Sequence, residues 1–385
     1  MRQSADLQSL LDRWLAAGVV DQPTAERIRA FESRRPESRR LRWPMMAAMG
    51  MGGLLLGAGI LLFVAAHWDA LSPGARFALV LLLVSGFHVA GALLSSTLPI
   101  LSSTLHTLGT TSLGAGIFLA GQIFNLQEHW PTGILLWAIG AGFGWLLLRT
   151  WPQAMLVALT VPAWLEGEWF VAVGQHGAIE SGLIPAAGLL GLAITYLTAR
   201  TRERGGPVRE ALTWIGGLAV IPYSVWLAVV ASDFPGWLGV GPSERLPLSA
   251  GLVTVGYFTS FTLPLVLAAV LRGRGAVFNL AAAVWVWLLG AVGLRAGPHW
   301  LVYIWYALGA IGMVAWGAHE NSRQRINLGM AGFALAVMGF YFSSVMDRMD
   351  RAMSLILGGV LFLGGGWLLE RARRRLVGRV EEPGP

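Results

Sequence analysis

A dipeptide recurs at widely separated points of the sequence, at His67-Trp68, His129-Trp130 and His299-Trp300, with Glu168-Trp169 as an acidic counterpart. Imidazole and carboxylate are groups that zinc accepts and that exchange protons in acid–base catalysis. With Asp69 and Glu166 added, the residues His67, Asp69, His129, Glu166, Glu168 and His299 form a candidate cluster on one side of a membrane. No ligand spacing such as His-x-x-x-His accompanies them. Tryptophan beside a polar residue is first of all what a membrane–water boundary selects, because its ring is apolar and its N–H seeks water. The expectation is a belt of interface residues, with no metal and no cofactor.

Two further histidines, His88 and His106, fall inside apolar stretches, where an ionisable group is a functional hypothesis by default. Ser95, Ser96, Thr97, Ser102, Ser103 and Thr104 lie around the turn between those stretches and offer hydrogen-bond partners that would make both rings merely structural. Gln122 and Asn125 sit one helical turn apart, and Glu128 follows a turn later. They either bond neighbouring helices, at roughly 0.6 to 2 kcal/mol each, or line an outward-facing polar cavity together with His88 and His106. No catalytic residue stands out.

The elements that must position these groups are set by composition. Apolar residues make up 55% of the 385, and charged residues 13% against the roughly 25% of soluble domains; the mean hydropathy is +0.61. A water-soluble fold cannot hide that much apolar surface. Apolar runs of about 20 residues, enough to cross the hydrocarbon core, recur at about 45–66, 76–94, 103–124, 132–148, 152–172, 182–199, 210–231, 247–271, 276–294, 300–317, 326–345 and 352–369. The expected fold is all-α, a polytopic transmembrane helix bundle of about twelve spans. The fifth run, ending on Glu166 and Glu168, and the seventh, holding Pro222, are the weakest. Pairs such as Gly53 and Gly57 or Gly140 and Gly144, and the group Gly358, Gly359, Gly364, Gly365 and Gly366, let helix backbones approach.

Cytoplasmic loops retain basic residues. With twelve spans and an inside start, 23 of the 28 arginines fall on the inner side, among them Arg149, Arg200, Arg202, Arg204, Arg209, Arg272, Arg274, Arg323 and Arg325. Both termini are therefore expected in the cytoplasm, with the chain in a bacterial inner membrane. The net charge of +7 is a topological signal spread over every inner loop, not the single stripe of a nucleic-acid footprint. Cysteine is absent, which excludes disulfides, thiolate metal sites and a cysteine nucleophile.

Residues 1–43 are of a different character and lack the apolar core of a cleavable signal peptide. Leu7, Leu10, Leu11, Trp14 and Leu15 recur at helical spacing, Gly18 ends that helix, and Asp21 before Pro23 starts a second. This short cytoplasmic hairpin is too small to bury a core alone. Its stripe of Leu7, Leu10, Leu11 and Trp14 either rests on lipid or docks a protein partner. The transmembrane domain is expected over 44–370 and a basic cytoplasmic tail over 371–385.

The hairpin "LQSLLDRWLAAGVVDQPTAERIRAF", the stretch "GILLFVAAHWDALSPGAR", then "LGAGIFLAGQIFNLQEHW" and "GILLWAIGAGFGWLL" resemble the prokaryotic membrane family catalogued as domain of unknown function 2157. The C-terminal stretch from Arg325 to Leu376 is similar to the end of longer members. The resemblance implies a multi-spanning inner-membrane protein and transfers no activity, cofactor or catalytic residue. Three classes of function remain. A transporter or lipid-translocating protein fits the many spans and the helices interrupted at Pro222 and Pro264. A scaffold or sensor fits the sparse ionisable content and the hairpin. An enzyme acting at the outer face has only the outer histidines and glutamates to use. Transport is favoured, because a protein built almost wholly inside lipid has little else to present to a substrate.

Overall fold

A helix start leaves N–H groups without partners, and this chain meets them with serine and proline. Ser72 accepts from the Ala75 N–H at 3.3 Å ahead of Pro73, and Ser249 from Leu252 at 3.3 Å. Gly174 and Gly273 end helices at φ +58° and +59°, a conformation glycine adopts without steric cost. The structure, a computed structural model, describes residues 11, 13–34, 51–52, 55, 59, 62, 71–123, 129–174, 180–201, 205–231, 247–294, 300–345, 356, 358–360, 363–367 and 371. Every regular element among them is helical. In chain order these are α1 (Gln22–Arg34), α2 (Pro73–Leu93), α3 (Pro99–Ile123), α4 (Pro131–Leu148), α5 (Trp151–Val173), α6 (Glu180–Leu197) and α7 (Pro207–Ala231). There follow α8 (Ala250–Arg272), a 3-10 turn (Gly273–Ala276), α9 (Val277–Leu294), α10 (Trp300–His319) and α11 (Arg323–Phe340), which runs into a π-turn (Tyr341–Val345).

Eight stretches of the described residues are long and apolar enough to cross a membrane: α2, α4, α5, α6, α7, Ala250–Ala291, α10 and Arg323–Ser343. Ala250–Ala291 holds two of the expected spans, joined through the 3-10 turn. The expected spans 45–66 and 352–369 lie largely outside the described residues. The stretch expected at 103–124 is helix α3, 25 residues long, but it is not among the eight. Ser102, Ser103, Thr104, His106, Thr107, Thr110, Thr111 and Ser112 load its first half with polar groups. The expected weak spans are α5 and α7, each an unbroken helix that carries an internal proline, Pro162 and Pro222.

Proline inside a helix leaves the carbonyl four residues earlier without its donor, a costly state in lipid unless a neighbour supplies one. Pro162 frees the Ala158 carbonyl, which accepts from the Tyr196 hydroxyl of α6 at 3.1 Å. Pro185 frees the Ser181 carbonyl, which accepts from the Trp169 indole of α5 at 2.9 Å. The two prolines thus tie α5 and α6 to one another reciprocally.

The chain divides into two units, one holding residues 1–76 and 85–109, the other 77–84 and 110–385. In the second, α6 is the central helix: 72% of its span is buried, against 11–33% for the other seven. Small residues make this possible. Gly188 receives Ser260 and Gly191 receives Pro264 from α8, while Gly216 of α7 lies directly on the α6 backbone at Ala193 and Leu197. Leu183, Leu190 and Leu197 of α6 pack with Val220 and Leu227 of α7, Val286 and Leu289 of α9, and Tyr306 and Trp316 of α10. Gly140 and Gly144 of α4, expected to admit a neighbouring backbone, receive the Leu113 and Gln153 side chains. Gly359, Gly364, Gly365 and Gly366 meet no described atom within 4 Å, and Gly53 and Gly57 lie outside the described residues.

In the first unit, Asp21 caps α1 by accepting from the Thr24 N–H at 3.2 Å, and Gly18 before it sits at φ +64°. Leu11 is fully buried and Trp14 is 38% exposed, so these two members of the expected docking stripe do not share one exposed face. Leu7 and Leu10 lie outside the described residues.

Candidate functional site

Inside the second unit the packing of α6, α7, α9, α10 and α11 leaves a cavity of about 230 Å³. Its walls are apolar, from Leu190, Ile194, Val220, Phe278, Trp285, Met313 and Leu328. Glycines shape it, since Gly309 leaves room for the Trp285 ring and a Cβ on Gly312 would meet no described atom within 4 Å. The rim includes Ala281, Leu308 and Gly312, all exposed on membrane-length helices and so turned toward lipid. One polar feature reaches the lining, a hydrogen bond of 2.8 Å between the Ser224 and Tyr306 hydroxyls.

At one end of this cavity stands Trp316, and behind it a charged cluster. Phe278 stacks on the Trp316 ring at 5.6 Å, and the guanidinium groups of Arg272 and Arg325 lie 5.2 and 5.3 Å from the ring centroid. Glu320 accepts from Arg272 at 2.6 Å, from Arg325 at 2.8 Å and from the Trp316 indole at 2.6 Å. Burial pushes the Glu320 carboxyl up. The hydrogen bonds from Arg325, Trp316 and Arg272 and the Arg325 charge outweigh that and hold it below the usual carboxylate range.

The arginines also close helix ends. Arg272 donates to the Thr198 carbonyl at 2.7 Å, and Arg209 donates to the Ala199 and Leu271 carbonyls at 2.6 and 2.7 Å. Cations are favoured at helix C-termini because the last carbonyls there lack partners. Asn279 adds a bond of 3.1 Å to the Thr198 hydroxyl. Among the described residues the cluster of Arg272, Arg325 and Glu320 nevertheless holds one positive charge in excess, and the buried Nε and Nη1 of Arg325 find no acceptor there. Sequence reading assigned Arg272 and Arg325 to topology and passed over Glu320. The available signal was that Glu320 is the one carboxylate between Glu244 and Asp347, four residues after a tryptophan.

The expected sites are distributed differently. His88 and His106 do meet, with their Nδ1 atoms 3.0 Å apart in the first unit. Gln122 is an exposed residue near the end of α3, while Asn125 and Glu128 lie outside the described residues. Of the outer cluster, His129 and Glu168 come together at 2.9 Å, and Glu168 also accepts from the Trp164 indole at 2.8 Å. This pair is partly exposed. Glu166, two residues from Glu168, lies about 200° away around α5, in the neighbourhood of Tyr223 of α7. His67, Asp69 and His299 lie outside the described residues. Among the described residues no three histidines or carboxylates converge as metal ligands would.

Residues 12–154 match the model of a family described as predicted membrane protein, domain of unknown function 2157. That segment holds α1 to α4; the cavity and its charged end are built wholly from later residues. No curated protein matches the chain, and no solved structure does.

Proposed function

We propose that this membrane protein is a lipid-handling transporter, taking the apolar chain of an amphiphile from the bilayer into the cavity of the second unit as a step in moving it across. The observation that carries this reading is the cavity itself. Its volume of about 230 Å³ exceeds the roughly 150 Å³ that accepts benzene in an engineered apolar cavity. Its rim lies on lipid-facing helix surface, so an acyl chain enters without crossing water. The Ser224–Tyr306 hydroxyl pair provides a single polar contact within it. Beyond Trp316, the excess charge of Arg272 and Arg325 favours an anionic headgroup, in the manner of basic pockets between membrane helices. In the orientation favoured by the arginine distribution, that end faces the cytoplasm, where anionic lipid is enriched.

The test is lipid retention by the full chain in nanodiscs mixing phosphatidylglycerol with phosphatidylcholine, read by native mass spectrometry. The wild type retains lipid with phosphatidylglycerol enriched. Gly312→Leu narrows the entrance at the rim, from a position where a Cβ meets no described atom within 4 Å, and sharply lowers retention. Undiminished retention by that variant, with the fold intact, rejects the cavity as the lipid site.

A further inference from the structure

His88 and His106 stand on α2 and α3 and belong to the first unit, apart from the cavity. Their approach is reciprocal. The His106 ring packs on Gly91, where a Cβ would lie 3.0 Å from its Nε2. The His88 ring packs on Gly109, where a Cβ would lie 2.8 Å from its Nε2. Each histidine is thus followed three residues later by the glycine that receives the other ring, in His88-Val-Ala-Gly91 and His106-Thr-Leu-Gly109. The Ser102 hydroxyl donates to the Gly91 carbonyl at 2.7 Å and holds the helices at this separation. The rings are tilted by 38° with centroids 5.3 Å apart, and their Nδ1 atoms are 3.0 Å apart.

Two Nδ1 atoms at hydrogen-bond distance accommodate one hydrogen between them. With none, two lone pairs face each other; with two, the hydrogens collide. The neutral pair therefore holds opposite tautomers: one ring carries its hydrogen on Nδ1 and donates, the other carries it on Nε2 and accepts at Nδ1. The donating ring keeps a basic Nε2. A proton arriving from water forms an N–H bond there, turns that ring into imidazolium and makes its Nδ1–H···Nδ1 bond charge-assisted, hence stronger. A second proton has to go to the accepting Nδ1, which puts two hydrogens in the 3.0 Å gap and separates the rings.

We infer that His88 and His106 form a proton-binding site that takes up one proton as a unit and admits a second only by parting α2 from α3. Among the described residues, His106 is the titratable group that acts on His88. Neither α2 nor the 99–109 part of α3 carries a carboxylate. Arg76, more than three turns before His88, is engaged with the Leu71 carbonyl at 3.0 Å. A site of this kind gives a membrane protein a way to respond to a proton gradient, and it stands independently of the lipid reading.

Nitrogen-15 NMR of the full chain, histidine-labelled and in bilayers, tests the inference. Among the signals of the seven histidines, those of the pair are assigned with His88→Gln and His106→Gln. At neutral pH the wild type shows one ring of the pair as the Nδ1–H tautomer and the other as Nε2–H. On acidification one imidazolium forms first, and the second appears at least tenfold higher in proton concentration. Gly109→Ala displaces the His88 ring without removing it and merges the two steps into independent titrations. Identical tautomers, independent titration near the ordinary value of about 6.5 in the wild type, or an unchanged stepwise titration in Gly109→Ala would each overturn it.

Discussion

The Tyr196 hydroxyl of α6 donates to the Ala158 carbonyl of α5 at 3.1 Å, and that carbonyl is the one Pro162 leaves without a helical donor. The bond converts a local defect in one membrane helix into a tie to the next. Tyr196→Phe leaves a buried carbonyl unpaired, at a cost of about 1–2 kcal/mol, read as a lowered unfolding midpoint in detergent. Pro162→Ala restores the helical N–H, so the tyrosine substitution costs less in that background. An equal cost in both backgrounds would refute the link, because coupled residues do not add.

Gly216 and Gly86 are both glycines in membrane helices, yet they face opposite demands. A Cβ on Gly216 strikes the α6 main chain at Ala193 and Leu197, which cannot swing aside, whereas one on Gly86 meets no described atom within 4 Å. Gly216→Ala is expected to destabilise by about 1–3 kcal/mol through overpacking. Gly86→Ala is expected to be neutral or stabilising by up to about 1 kcal/mol through helix propensity. Thermal unfolding of the two variants side by side checks the contrast; equal behaviour would contradict the packing of α7 on α6.

Glu320 is the sole described carboxylate bound by Arg272 and Arg325, whose side chains are 2% and 5% exposed. Glu320→Gln leaves two buried guanidinium groups without a countercharge, a loss of roughly 3–5 kcal/mol. The pH dependence follows from the lowered carboxyl. In the unfolded chain the group titrates near its ordinary value of 4.5, and in the folded protein below it. Its stabilisation is therefore fully present above that value and lost as pH falls through the folded pKa. Unfolding scans at falling pH should show the wild type losing this advantage over Glu320→Gln only below about pH 4.5. A difference between the two that is constant down to strong acid would disprove the ionic role.

Much of the fold was legible because lipid imposes a crude and severe rule: apolar runs of membrane length, basic loops and capped ends follow from composition and spacing. The limits of that rule show at α3. Its run from Ser102 to Ser112 looked like a span in outline, but its hydroxyls and His106 put it below the apolarity of the other eight. The sites were less legible. His88 and His106 were singled out for their cost in lipid, and they meet. Gln122 was singled out by helical spacing within one segment, and it is exposed. Glu166 and Glu168 looked like one acidic pair, but two positions on a helix differ by about 200° and they face different neighbours.

By itself the sequence determined the solvent, the helical class and most of the helix boundaries, since each depends on a property summed over one stretch of chain. It also contained the repeated His-x-x-Gly pattern, although nothing local says that the two copies face each other. Tertiary structure alone decided that α6 is the buried centre and that a cavity remains beside it. The same is true of Arg272, Glu320 and Arg325, which meet behind Trp316. Those outcomes depend on which helix faces which. In lipid, that choice is made by close packing and by polar groups finding partners, not by hydrophobicity, which is nearly the same on every side.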